Sequence, residues 1–160
     1  MLNITVICVG KLKEKFYTAA VNEYLKRLKS YCKLDLIELP EERLPSAPSQ
    51  VQIDTALEKE SHAIYGKLPK RAKVIALCVE GVLLSSEKLA EQFQGWTVSG
   101  ISHLAFLIGG SYGLHPSVKE LSALQLSMSP MTFPHHLARI MVLEQIYRAF
   151  KINEGSLYHK

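Results

Sequence analysis

Aspartate is nearly missing from this sequence. Only Asp35 and Asp54 occur in 160 residues, so a two-metal centre or a catalytic carboxylate pair is hard to assemble. The three cysteines, Cys8, Cys32 and Cys78, are odd in number and far apart. They form no CxxC and no zinc spacing, so the sequence predicts reduced structural thiols, no metal site and a cytoplasmic location. The longest apolar runs, Val74–Val79 and Leu104–Ile108, fall far short of the roughly 20 residues that cross a bilayer, and no membrane association is expected. There is no GxxxxGK[ST] for a P-loop and no GxSxG for a serine hydrolase. Net charge is also small. Nineteen Lys and Arg against fifteen Asp and Glu leave +4, which tolerates a polyanionic partner without requiring one.

What is present is the composition of an ordinary globule, 48% hydrophobic and 21% charged, at a length that suits one domain over residues 1–160. The start, MLNITVICVG, lacks a basic n-region and a small-residue cleavage site, and reads as a first strand over Leu2–Val9. Glu14–Ser30 places Ala20, Tyr24, Leu25 and Leu28 at helical spacing. Lys33–Leu39 alternates as a half-buried strand. Pro40–Gln50 holds three prolines and reads as a loop with a mobile, charged start at Glu41-Glu42-Arg43.

Val51–Tyr65 reads as a helix and Lys73–Val79 as a buried strand ended by Gly81. Ser85 or Ser86 caps a helix to about Gln94. His103–Ile108 is a buried strand that runs into Gly109-Gly110-Ser111-Tyr112-Gly113. A short helix near Ser117–Ser122 precedes a last strand, Ala123–Ser127. After the loop Met128–Phe133, Pro134 opens the longest helix, to about Ile152. Strands separated by helices of this length mean βαβ units. The expected fold class is therefore α/β, with a mostly parallel sheet of about five strands and helices on both faces.

Ligands of open α/β sheets bind beyond the carboxyl ends of strands. Three segments qualify: the turn after Val79, the glycine turn after Ile108 and the loop Met128–Phe133. Glycines there let backbone approach a flat or anionic ligand, or merely reverse the chain. Met128 and Phe133 offer apolar contact beside free backbone groups, or fill core gaps. His135 and Arg139, four apart near a helix start, suit a phosphate. Glu144–Arg148 reads as a solvated surface pair. His62 and His103 look structural, and His115 is placed to face a ligand. What survives the exclusions is group transfer from a bound cofactor. A dinucleotide-dependent oxidoreductase is disfavoured, because the first βα unit lacks GxGxxG and an acid about 20 residues on. A binding module that keeps the fold without the activity is the other rival.

The segments VGKLKEKFYTAAVNEYLKRL, FLIGGSYGL, SMSPMTFPHHLARIMVLEQIYRAFKI and the final YHK together resemble the ribosomal RNA large subunit methyltransferase H family, of the SPOUT class. The resemblance spans the whole chain. Pro130 departs from it, standing where relatives are expected to carry Lys or another residue. The resemblance implies a homodimer with a C-terminal trefoil knot that uses S-adenosyl-L-methionine to methylate N3 of a pseudouridine in large-subunit ribosomal RNA. It places cofactor contacts on Leu77, Gly109, Met128, Ser129, Pro130, Met131, Thr132 and Phe133. On this reading His159 accepts a proton, Tyr158 orients or stacks, and Arg139 with His135 faces a phosphate or an enolate. The tail, hinged at Gly155, is expected to close over the partner subunit's site. Doubling +4 gives a dimer only about +8; such a dimer should bind naked RNA weakly, so the expected substrate is the assembled ribosome.

Overall fold

A computed structural model describes residues 1–160. Five strands, β1 (Leu2–Val9), β2 (Cys32–Leu39), β3 (Lys73–Leu83), β4 (His103–Ile108) and β5 (Leu124–Ser127), alternate with five helices. These are α1 (Lys15–Leu28), α2 (Gln50–Lys67), α3 (Ser86–Val98), α4 (Pro116–Leu121) and α5 (His135–Asn153). The strands form one sheet in the order β2-β1-β4-β3-β5, every pairing parallel. The expected α/β class with helices on both faces is therefore observed.

Side-chain alternation along the strands explains the layers. Ile4, Val6 and Cys8 of β1, with Leu104, Phe106 and Ile108 of β4, pack under α1, α3 and α5 through Val21, Phe93, Leu143 and Ile146. The opposite face presents Ile7, Val9, Ala105 and Leu107 to α2 and α4 through Ile64 and Val118. Cys8 and Cys32 are buried free thiols, and burial pushes both up to about 12. They behave as small apolar groups. No helix is long and apolar enough to cross a membrane.

Caps set most helix starts. Ser49 and Gln52 form a reciprocal capping box on α2, and Ser85 caps α3 through the Lys88 N–H. His115 turns out to be such a cap. Its Nδ1 accepts from the Ser117 N–H, so the ring closes α4 instead of facing a ligand. His103 Nε2 pairs with Thr5 Oγ1 at 2.8 Å, a structural role as expected. Pro134 is the residue before α5, with extended ψ of 138°, one position earlier than a first-turn proline.

The third strand corrects the sequence reading most. It does not end before Gly81 but continues to Leu83, and its pairing with β5 shifts between Leu77 and Val82. A Cβ on Gly81 would lie 2.6 Å from the Gln125 carbonyl oxygen. Glycine thus marks an irregularity that passes close to the next backbone, not a strand end.

Candidate active site

The irregular stretch of β3 throws Cys78, Val79 and Glu80 outward beside the ends of β4 and β5. With the glycine turn and the loop after β5 they enclose a cavity of about 750 Å³, within the usual range for small-molecule sites. Its walls are apolar at Leu77, Ile108, Leu114, Leu126 and Met128 and polar at Ser111, Ser129, Thr132 and His135. Gly109 sits where a Cβ would run into the Gly113 backbone, and Gly113 has φ +79°. The turn is closed by the Gly113 N–H donating to the Gly110 carbonyl at 3.1 Å. The glycines are needed for this shape.

Of the residues expected to hold a cofactor, Leu77, Gly109, Met128, Ser129, Met131, Thr132 and Phe133 all line the cavity. Pro130 does not; it is exposed. Ser127 and Ser129 stiffen the loop. Ser127 Oγ donates to the Ser129 carbonyl, and Ser129 Oγ accepts from the Met131 N–H, each at 3.0 Å.

His135 and Arg139 share a face of α5, but their fates differ. His135 lines the cavity, and its Nε2 is buried without a hydrogen-bond partner. Burial, with His136 and Arg139 nearby, holds its pKa below the ordinary histidine value, so the ring is neutral at pH 7. Arg139 is 0% exposed. Its guanidinium donates to Glu38 Oε2 at 2.5 Å and to the Gly10 carbonyl at 2.9 Å. The expectation that Arg139 meets a phosphate or enolate is therefore corrected. It is a buried strut tying α5 to the ends of β1 and β2, because a guanidinium out of water must find acceptors inside.

Tyr158 and His159 do not reach the cavity of their own chain. The tail turns at Gly155, φ +73°, and lies back on α5 and α3. Tyr158 Oη donates to Glu144 Oε1 at 3.1 Å, and its ring meets Tyr147 edge-on at 5.0 Å and Arg148 at 4.8 Å. Burial and Glu144 push the Tyr158 phenol up, so it stays a donor. His159 is gripped at both nitrogens. Arg148 donates to Nδ1 at 3.1 Å, and Nε2 lies 2.8 Å from Glu87 Oε1. The hydrogen bond from His159 draws the Glu87 carboxyl down to about 2. Glu144–Arg148, read as a solvated pair, is instead the anchor of the tail.

Sequence reasoning missed Glu41. Its Oε1 accepts from the Ser111 N–H at 2.7 Å and its Oε2 lies 3.9 Å from His135 Nε2. A Cβ on Gly110 would come within 2.6 Å of that carboxylate. The segment read as mobile is thus pinned against the glycine turn, and the Glu42 N–H is held in turn by Glu60. Only Gly110 hinted at a close neighbour. Glu41→Ala is expected to cost about 1 kcal/mol, a partly solvated charge-assisted bond. Gly110→Ala displaces the same carboxylate. A urea-denaturation cycle should therefore show the double variant no worse than the poorer single one; simple addition of the two losses would contradict the contact.

A family model described as "Predicted SPOUT methyltransferase" matches residues 2–159. The chain belongs to this family. It is 48% identical, over 99% of its length and 100% of the relative, to a "Putative ribosomal RNA large subunit methyltransferase H" of Methanococcus maripaludis. It is 47% identical, over the same shares, to "Ribosomal RNA large subunit methyltransferase H" of Bifidobacterium animalis subsp. lactis. A solved structure of a probable methylase family protein from Haemophilus influenzae superposes with a TM-score of 0.54 at 14% identity, covering 98% of this chain and 70% of that one. That likeness concerns the fold alone.

Proposed function

We propose that this SPOUT methyltransferase uses S-adenosyl-L-methionine to methylate N3 of a pseudouridine in large-subunit (23S) ribosomal RNA. We place its action in the cytoplasm, on the assembled ribosome and as a homodimer, with its C-terminal segment forming a trefoil knot. The observation that carries the cofactor is the cavity itself. Its mixed lining suits a nucleoside with a flexible apolar arm, its glycine turn brings backbone close, and it holds an orphaned buried polar atom, His135 Nε2. The RNA substrate follows from the names of the two full-length relatives.

S-adenosyl-L-methionine supplies an electrophilic methyl group. Leu77, Gly109 and the loop Met128–Phe133, with Pro130 contributing only stiffness, would hold it; Met128 and Phe133 would give apolar contact and the backbone polar contact. Bound there, it would supply that methyl to N3 and leave as the neutral thioether. N3 must also release its proton. Positioning is the main contribution of such a site and supplies several kcal/mol. His135, neutral and unpaired at the wall, is the own-chain group available to meet a polar atom of substrate or cofactor. The proton of N3 goes to His159 of the partner subunit once substrate displaces Arg148 from its Nδ1 and frees that lone pair, with the partner subunit's Tyr158 orienting the base. A polar aromatic tail held in place by Glu144 and Arg148, yet away from its own cavity, supports that placement.

Calorimetric titration with S-adenosylhomocysteine tests the cofactor. Saturable binding is expected, weakened at least tenfold by Gly109→Val, whose side chain has no room against the turn. Absence of heat and of thermal stabilisation at millimolar ligand would overturn the assignment.

A further inference from the structure

Four rings form a ladder from open surface to the cavity wall. Phe16, 67% exposed, lies 4.4 Å from Tyr17, centroid to centroid. Tyr17 meets His136 edge-on at 5.9 Å, and His136 meets His135 at 4.1 Å. His135 lines the cavity. The chain that enters α1 carries Lys11, Lys13 and Lys15 beside the outer end of this ladder. All three are exposed and none takes part in an ion pair. Glu14 is the one acid among them.

Stability does not explain this arrangement. A phenylalanine left two-thirds in water forgoes the burial that would stabilise it, and three lysines around the single acid Glu14 leave the segment net positive. Aromatic faces interleaved with cations are the combination that holds single-stranded nucleic acid, through stacking on the rings and contact with phosphates. A duplex does not fit, because its bases are already stacked on one another. A protein partner fits less well, because lysine is depleted at protein interfaces.

We infer that Lys11, Lys13, Lys15, Phe16, Tyr17 and His136 form the docking strip for the single-stranded RNA segment next to the target nucleotide. The ladder leads that segment to His135 and so to the cavity. The inference rests on the methyltransferase reading and adds the surface by which the substrate is held.

Fluorescence anisotropy with a short labelled oligouridylate at low salt tests it on the full chain. Phe16→Ala is expected to weaken binding about five- to a hundredfold with the salt slope unchanged. The triple variant Lys11→Ala/Lys13→Ala/Lys15→Ala is expected to weaken it at least tenfold and to reduce the slope of log affinity against log salt by about 2. S-adenosylhomocysteine should bind both variants as it binds the wild type, which also shows that they are folded. Wild-type affinity and slope in both variants would overturn the strip, as would failure of the wild type to bind the oligonucleotide. So would unchanged RNA binding with an altered oligomeric state in sedimentation, which would make the strip a protein interface. If the wild type binds RNA through the strip but no S-adenosylhomocysteine, the methyltransferase reading fails and the strip stands.

Discussion

Deleting Tyr158–Lys160 is expected to cut methyl transfer at least about a hundredfold, the lower range of what a positioned proton acceptor contributes. Binding of S-adenosylhomocysteine should stay within about twofold, because none of the three residues lines the cavity of its own chain. Two point variants separate chemistry from tail anchoring. His159→Ala removes the proposed acceptor, and Tyr158→Phe removes the hydroxyl held by Glu144. Loss of turnover in His159→Ala with an unshifted melting temperature places the effect in the reaction. Loss in Tyr158→Phe with a smaller defect places it in orientation. Unchanged turnover in the deletion, with normal cofactor binding, would remove the tail from the mechanism.

Glu38→Ala is expected to destabilise the protein by about 3 kcal/mol or more, since removing one partner leaves a fully buried guanidinium without its counter-charge. Adding Arg139→Met should recover part of that loss, because no charge then remains inside. Recovery is incomplete, because the Gly10 carbonyl loses its donor. The pH dependence has a definite sign. Burial pushes the Glu38 carboxyl up, but the Leu12 N–H and Arg139 outweigh it and hold the group below its ordinary 4.5. A carboxyl whose pKa is lower in the folded state stabilises while ionised and stops doing so as pH falls through the lowered value. Urea melts below about pH 4.5 should therefore show wild type converging on Glu38→Ala. A single variant within about 0.5 kcal/mol of wild type at pH 7 would mean that the strut is not buried.

Strand positions were legible because each pairs an apolar run with a turn signal, and His103–Ile108 agrees to the residue. The third strand was not, since a glycine that ends a strand and one that lets it pass close to a neighbour look alike until Gln125 is in place. The cavity loops were legible from topology together with the resemblance, and only Pro130 points away. The polar connections were hidden by distance along the chain. Arg139 answers to Glu38, 101 residues away, and Ser111 to Glu41, 70 away. Local spacing instead offered Arg139 to His135 and Arg148 to Glu144; the second pair forms but anchors the tail, and Arg139 turns to Glu38.

The proposed reaction is methyl transfer to ribosomal RNA within the assembled particle. The measurement that meets it most directly is transfer of tritiated methyl from S-adenosyl-L-methionine to ribosomes that lack the modification, and in parallel to their protein-free RNA, followed by nucleoside mass spectrometry. Label in N3-methylpseudouridine, with intact ribosomes the far better substrate, is the result predicted. No transfer to either, or a methyl group on another atom, would contradict the proposed reaction, and equal labelling of both would contradict recognition of the assembled ribosome.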